Sequence, residues 1–156
     1  MCSSDLSLQY EACEMLDGAG FHVLEVSGGG CFQSAIQRGV ESPWERIRNL
    51  KRRAVHTPLS MALRGRFLVG TQPAEQDLIR RFVDSAAESG IAVFRMHDPM
   101  NDPEDLVGPV EAVRETGARL HVGIVYDGLP GGEDRMRERA PQLAALGADQ
   151  IGRAHV

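Results

Sequence analysis

The sequence predicts an α/β protein with a parallel sheet covered by helices. Four short apolar, β-rich runs recur, over residues 21–26, 58–64, 91–97 and 119–126. Their starts fall roughly 30 residues apart, the length of one strand–helix unit. Segments of helical period lie between them, and the runs are too apolar for one sheet face to meet water.

Taken in order, a helix over 8–17 opens the chain and ends at Gly18 to Gly20. The first run closes on Glu25-Val26-Ser27-Gly28-Gly29-Gly30. Ser42-Pro43-Trp44-Glu45 has capping-box spacing with proline at the first helical position, a helix start worth about 1 kcal/mol. The second run closes on Leu63-Arg64-Gly65. Over 76–89, Leu78, Ile79, Phe82, Val83 and Ala86 recur at helical spacing as one apolar stripe. The third run ends in Phe94-Arg95-Met96-His97-Asp98-Pro99-Met100-Asn101-Asp102, and Asp102-Pro103-Glu104-Asp105 repeats the capping logic. Residues 133–146 are charged and then apolar, with Gly147 placed to end a helix. A doubly wound sheet and a (β/α)8 barrel both fit this period. Four units complete a small doubly wound domain but make half of a barrel, whose usual size is about 250 residues.

The bulk numbers exclude several classes. At 156 residues the chain holds one domain. Hydrophobic content of 42% and charged content of 25% are those of a soluble globular protein. A net charge of -5 gives no basic footprint for nucleic acid. No apolar stretch approaches the roughly 20 residues that span a bilayer, and no signal-peptide core is present. Cys2, Cys13 and Cys31 lack CxxC spacing, which argues against a disulfide frame or a zinc knuckle and for a reducing cytoplasm.

The termini read differently from the rest. Ile151-Gly152-Arg153-Ala154-His155-Val156 is the translation of a common short-read sequencing adapter, and Met1-Cys2-Ser3-Ser4-Asp5-Leu6 is that of its reverse complement. Residues 1–6 and 151–156 are therefore taken as adapter-derived, and 7–150 as the natural segment, an internal piece of a longer protein. Cys2 and His155 lose any functional claim.

In a parallel α/β protein the polar strand ends share one rim, where active sites sit. Gly28-Gly29-Gly30 matches neither GxGxxG nor a GK[ST] loop. It fits either a tight turn with positive φ or a backbone that approaches a ligand closely. Arg64 fits a clamp on a substrate carboxylate, or an ion pair with Glu25 or Asp98. Arg95, inside an apolar run, fits a buried salt bridge to Glu25 or Asp98. His97 and Asp98 alternate in direction on a strand, and His97 has no second metal ligand at useful spacing. Tyr126 and Asp127 add a hydroxyl and a carboxylate to the rim; His22, His56 and His121 read as structural.

Four segments in order carry a resemblance: Glu25 with Gly28-Gly29; Ser42-Pro43-Trp44-Glu45-Arg46-Ile47-Arg48; Met61-Ala62-Leu63-Arg64-Gly65; and Phe94-Arg95 with Asp98 and Asn101-Asp102. Across residues 8–150 their order resembles the carboxyltransferase domain of biotin-dependent enzymes. That group includes pyruvate carboxylase, the oxaloacetate decarboxylase alpha subunit and the pyruvate-side subunit of transcarboxylase. The resemblance implies a partial (β/α)8 TIM barrel holding about strands two to five of eight.

It also implies a chemistry. A divalent metal ion (Zn, Mn or Co) polarises an α-keto acid, pyruvate or oxaloacetate, and stabilises its enolate. Carboxyl exchange then runs to or from biotin on a carrier domain. Arg64 corresponds to the arginine that binds the keto-acid carboxylate and is the catalytic assignment here, with Gly28, Gly29 and Asp98 as further substrate-binding positions. The family's metal ligands and proton-shuttling threonine fall outside this segment, so it is expected to hold no metal and to be inactive alone. The full-length protein is expected to be a cytoplasmic homo-oligomer.

Departures from the family pattern cluster on the biotin side. Gln33 stands in place of an aspartate and Thr71 in place of a tyrosine. Phe67 replaces an asparagine, and Ser27 and Cys31 replace a tryptophan and a threonine. Losing one partner of a buried hydrogen bond costs about 1–3 kcal/mol, so the biotin pocket is expected to be altered. Two alternatives follow: a Claisen- or aldol-type barrel lyase or synthase that does not use biotin, and a non-catalytic degenerate barrel. A half barrel also leaves unpaired edges near 21–26 and 119–126, which invite association or aggregation.

Overall fold

The computed structural model describes residues 3–39, 41–126 and 128–154. Helix α1 (Ser3–Asp17) leads into β1 (Leu24–Ser27), then α2 (Gly29–Arg38) and α3 (Pro43–Arg53). Strand β2 (Leu59–Leu63) is followed by a 3-10 turn (Gly65–Phe67) and α4 (Gln76–Ser89). Then come β3 (Ile91–His97), α5 (Glu104–Thr116), β4 (Arg119–Val125), α6 (Gly132–Ala145) and β5 (Gln150–Ala154).

All five strands are parallel, in the order β1-β2-β3-β4-β5. This order decides what spacing leaves open. A doubly wound sheet reverses its strand order at a switch point. Here the order never reverses, and crossovers of one hand then put every helix on the same face, as in a barrel wall.

The two faces bear this out. Leu59, Met61, Leu63, Phe94, Met96, Leu120 and Val122 point to the helices and are buried with Ile79, Val83, Leu106, Val110 and Val113 in one core. The opposite face carries Glu25 and Arg95, whose side chains are 42% and 39% exposed. The expectation that neither sheet face meets water is corrected: burying that face takes a closed barrel, and five strands do not close.

Helix α4 and strand β3 span the residues the periodicity predicts. Strand β1 begins at Leu24 rather than residue 21, and Phe21 is exposed. Ser42 sits at the N-cap of α3 and Pro43 enters the first turn, but the Ser42 side chain makes no capping bond, so the expected capping box is not formed. Ahead of α5, Asp102 Oδ1 accepts the Glu104 amide at 3.0 Å, although Pro103 holds the N-cap position.

Helix α2 is not foreseen in the sequence, because two glycines open it and its one buried side chain, Phe32, sets no period. Packing holds it in place. The rings of Phe32, Trp44 and Phe82 meet edge-on or tilted at 4.8, 5.0 and 5.1 Å, joining α2, α3 and α4.

The expected pair of edges is half right. Strand β1 is one edge, but β4 is covered by β5, paired from His121↔Gln150 to Val125↔Ala154. The free edge thus falls on β5, which includes residues 151–154 of the adapter-like terminus; residues 1–2 and 155–156, with Cys2 and His155, lie outside the described residues.

Candidate active-site rim

The inner sheet face is laid out in rows by the strand register. Ser60 pairs with Glu25 on one side and Val93 on the other. Two residues further on, Ala62, Arg95 and His121 stand abreast on β2, β3 and β4. One more step of two brings Arg64, His97 and Gly123 to the C-terminal rim, with His97 paired to Gly123.

Arg95 and Glu25 bridge diagonally over β2, Nε to Oε2 at 2.5 Å and Nη2 to Oε1 at 2.9 Å. The predicted partner is right and the predicted burial is not. Both side chains are more than a third exposed, so the pair contributes at most about 1 kcal/mol here.

Arg64 pairs with neither Glu25 nor Asp98. Its Nη2 donates to the carbonyl oxygens of Gly70 at 2.7 Å and Val69 at 3.3 Å. Those bonds use one of three guanidinium nitrogens and leave the donors of Nε and Nη1 for a ligand. The loop that supplies the two carbonyls begins at Gly65, where φ is +46° and a β-carbon would lie 3.0 Å from the Asp105 carbonyl oxygen, so a side chain there is strained. The anchoring carbonyls were missed in the sequence, where backbone acceptors leave no signal.

The three glycines do not form the tight turn with positive φ; Gly28 is fully extended (φ -180°) and α2 starts at Gly29. Close approach is the reason for Gly28 and Gly29, whereas a β-carbon on Gly30 would meet nothing within 4 Å. A β-carbon on Gly28 would meet the Ala62 β-carbon at 3.4 Å, and one on Gly29 would stand 3.2 Å from Arg64 Nη2. Gly28 and Gly29 therefore sit against the strand end that carries Arg64.

Asp98 is buried, and its Oδ2 accepts the amides of Met100 at 2.7 Å and Asp102 at 3.0 Å. It shapes the turn after β3. Asn101, at φ +56°, completes that turn: its amide donates to the Val125 carbonyl and accepts the Val125 amide, both at 2.8 Å. This fastening to β4 was not read from the sequence; an asparagine in a turn after a strand, tolerant of left-handed backbone, is the signal for it.

His97 is half-buried, and its Nδ1 is buried without a partner. Burial first, then the charges of Arg95 and Arg64, hold its pKa below the usual histidine value, against the smaller pull of Asp98 and Glu25. His22 and His121 stack in parallel at 6.5 Å. Burial, then Arg119 and His22, likewise lower His121.

Gln33 and Thr71 are exposed, and neither side chain has a hydrogen-bond partner among the described residues. Tyr126 is half-buried on the rim; Asp127 lies outside the described residues. Beside the 98–101 turn a cavity of about 350 Å³ is lined by Met100, Asn101, Val125 and the first turns of α6. No three His, Cys, Asp or Glu side chains among the described residues converge to hold a metal ion, so no step is assigned to one here. No helix of the described residues is long and apolar enough to cross a membrane.

No family model matches the chain. Individual proteins do. A pyruvate carboxylase subunit of Methanocaldococcus jannaschii is 38% identical over 139 residues, 88% of this chain and 24% of that protein. The 2-oxoglutarate carboxylase large subunit of Hydrogenobacter thermophilus is 36% identical over 89% of this chain and 22% of its own length. The methylmalonyl-CoA carboxyltransferase 5S subunit of Propionibacterium freudenreichii is 36% identical over 90% of this chain and 28% of its own length. Among solved structures, the carboxyl transferase domain of Rhizobium etli pyruvate carboxylase, with pyruvate and biocytin, superposes on 92% of this chain and 26% of its own. Its TM-score is 0.84 at 27% identity. The chain spans about a quarter of the length of the curated relatives it matches.

Five parallel strands in chain order, with helices on one face and an arginine at the rim, define a segment of a carboxyltransferase-type (β/α)8 barrel. The chain belongs to the carboxyltransferase family that includes these pyruvate carboxylase and 2-oxoglutarate carboxylase subunits and the methylmalonyl-CoA carboxyltransferase 5S subunit. The reading as a Claisen- or aldol-type lyase or synthase is not favoured by these relatives.

Proposed function

We propose that this chain is part of a biotin-dependent carboxyltransferase that moves a carboxyl group between biotin on a carrier domain and a small 2-oxo acid, pyruvate or oxaloacetate. Residues 7–150 carry this role, and the six residues at each end are adapter sequence. Arg64 is the residue assigned to the acid. Its guanidinium is held at the rim by two carbonyls and keeps donors free for a carboxylate, an arrangement in which charge-assisted bonds are short and strong. That anchored, half-engaged arginine is the observation that carries the proposal. Gly28 and Gly29 make room for it, and Asp98, the further substrate-side position, sets the adjoining turn through Oδ2.

The residues that would hold a metal ion are assigned to the rest of the protein, where such an ion would polarise the acid's carbonyl; the described residues assemble no ligand set. Gln33 and Thr71 place an unpartnered amide and hydroxyl where the biotin side is expected. Handling of the carboxyl donor is thus where this protein differs from its relatives. A reducing cytoplasm accords with free thiols at Cys13 and Cys31.

The test is the unbroken reading frame from the source genome, expressed and assayed for carboxyl exchange between pyruvate and oxaloacetate. Exchange is expected to require the biotinylated carrier. Arg64→Lys is expected to lower kcat/KM on the order of 100-fold, the loss of charge-assisted bonds of up to about 3 kcal/mol. Exchange without biotin, or an unchanged Arg64→Lys enzyme, overturns the reading.

A further inference from the structure

Three buried side-chain atoms among the described residues lack a hydrogen-bond partner: Glu41 Oε1, Arg46 Nε and His97 Nδ1. The first two face each other as an ion pair at 3.8 Å. His97 Nδ1 stands at the rim. A buried polar atom left unpaired is costly, and native structures keep few of them.

The surroundings of the ring fix its state. Arg64 is the next rim position on β2, and on β4 the paired residue is Gly123, which has no side chain to crowd the imidazole. Burial and the guanidinium groups of Arg95 and Arg64 favour the neutral ring, with Asp98 and Glu25 pulling less strongly the other way. With no acceptor for it among the described residues and the Arg95 and Arg64 charges nearby, buried Nδ1 is better as a lone pair than as an N–H. The proton then sits on Nε2, which has no hydrogen-bond partner among the described residues.

We propose that His97 donates a hydrogen bond from Nε2 to the 2-oxo oxygen of the acid whose carboxylate Arg64 binds. This rests on the reading of Arg64 given above. Arg64 directly follows β2 and His97 closes β3, one residue beyond the last register pair, Leu63↔Met96, of two strands that lie about 5 Å apart. A 2-oxo acid carries its carboxylate and its carbonyl oxygen on adjacent carbons, so one ligand can engage both. A neutral donor aimed at a carbonyl oxygen binds the ground state and strengthens as negative charge develops there. His97 thereby acts as a substrate-contacting residue rather than as a metal ligand.

The test uses the protein with its reading frame restored. Oxamate, an amide analogue of pyruvate, is titrated by calorimetry, and kcat/KM is measured with pyruvate. His97→Leu is expected to weaken both by about tenfold, the net value of one hydrogen bond. His97→Gln, whose side-chain NH2 stands where imidazole Nε2 stands, is expected to recover to within about threefold, a rescue that a purely structural role does not give. Long-range proton–nitrogen spectra of histidine-labelled wild type read the tautomer without any substitution, and are expected to show the proton on Nε2. Unchanged His97→Leu binding, no recovery in His97→Gln, or a proton on Nδ1 overturns the proposal. The arms separate it from the reading beneath it. Oxamate binding lost in Arg64→Lys but intact in His97→Leu leaves Arg64 standing and removes His97, whereas wild type that binds no oxamate removes both.

Discussion

Gly29 and Arg64 are packed so that a β-carbon at position 29 would lie 3.2 Å from Nη2. The glycine at the start of α2 and the arginine at the end of β2 therefore form one device, although 35 positions separate them in the sequence. The backbone of Gly29 is not in the left-handed region, so alanine fits its conformation.

That combination makes Gly29→Ala informative. Alanine is the better helix former, and stability is expected to stay within about 1 kcal/mol of wild type. The guanidinium must shift by a few tenths of an ångström, and affinity for oxamate in the restored full-length protein is expected to fall by about tenfold. A thermal melt and a calorimetric titration separate the two effects. A variant with normal affinity removes Gly29 from the site.

Asp17, at the end of α1, gathers the start of β2. Its carboxylate accepts the amides of Val55 at 2.9 Å, His56 at 3.1 Å and Thr57 at 2.6 Å. Burial alone would raise its pKa; the bonds from His56, Thr57 and Val55 outweigh that and hold it at about 2. The folded value lies below the unfolded one of about 3.9, so this stabilisation is complete above that pH and fades as pH falls toward 2. Melting temperature followed from pH 5 to pH 2 (roughly the span of both values) should drop more steeply for wild type than for Asp17→Asn. Asp17→Asn should also melt lower at neutral pH. Parallel curves would show that Asp17 is not the titrating group.

Asn101 spends both ends of its amide on Val125 while its backbone is left-handed. Asn101→Ala and Asn101→Gly both lose the two bonds, at about 1–3 kcal/mol. Only alanine adds the cost of the left-handed backbone, about 1–2 kcal/mol. Urea denaturation should therefore rank wild type above glycine and glycine above alanine. Equal stability of the two variants would mean that the turn relaxes to another conformation.

The free edge of β1 adjoins a groove of about 240 Å³ lined by Cys13, Leu16, Leu24, Val26 and Leu50. Unpaired strand groups beside an apolar groove template pairing with another chain. Sedimentation of the isolated chain is expected to show association that grows with concentration. A monomer that melts cooperatively over the same range counts against it.

Sequence reading was most reliable where one physical signal dominated. The stripe of Ile79, Phe82, Val83 and Ala86 places α4, and the β-rich run ending at His97 places β3, because burial on the helix-facing side leaves a period in the sequence. It fell short where the determinant lies elsewhere in the chain. Helix α2 depends on Phe32 finding Trp44 and Phe82, and Arg64 on carbonyls that any residue supplies. Exposure of the Glu25–Arg95 pair depends on how many strands the sheet has, which no local pattern encodes. The resemblance groups Arg64, Gly28 and Gly29, and the packing of the two glycines against the strand end that carries Arg64 is visible only in three dimensions.

Strand order that copies chain order has a consequence for biosynthesis. Each strand pairs with the one made just before it, so no stretch of sheet waits for a segment translated much later, and each loop closed is short. A wall of this order is one that can be built in the direction of translation, each unit having its pairing edge already made. The exposed rim of the most recent strand is then the growing point of the fold, and each βα unit added there buries the edge left by its predecessor.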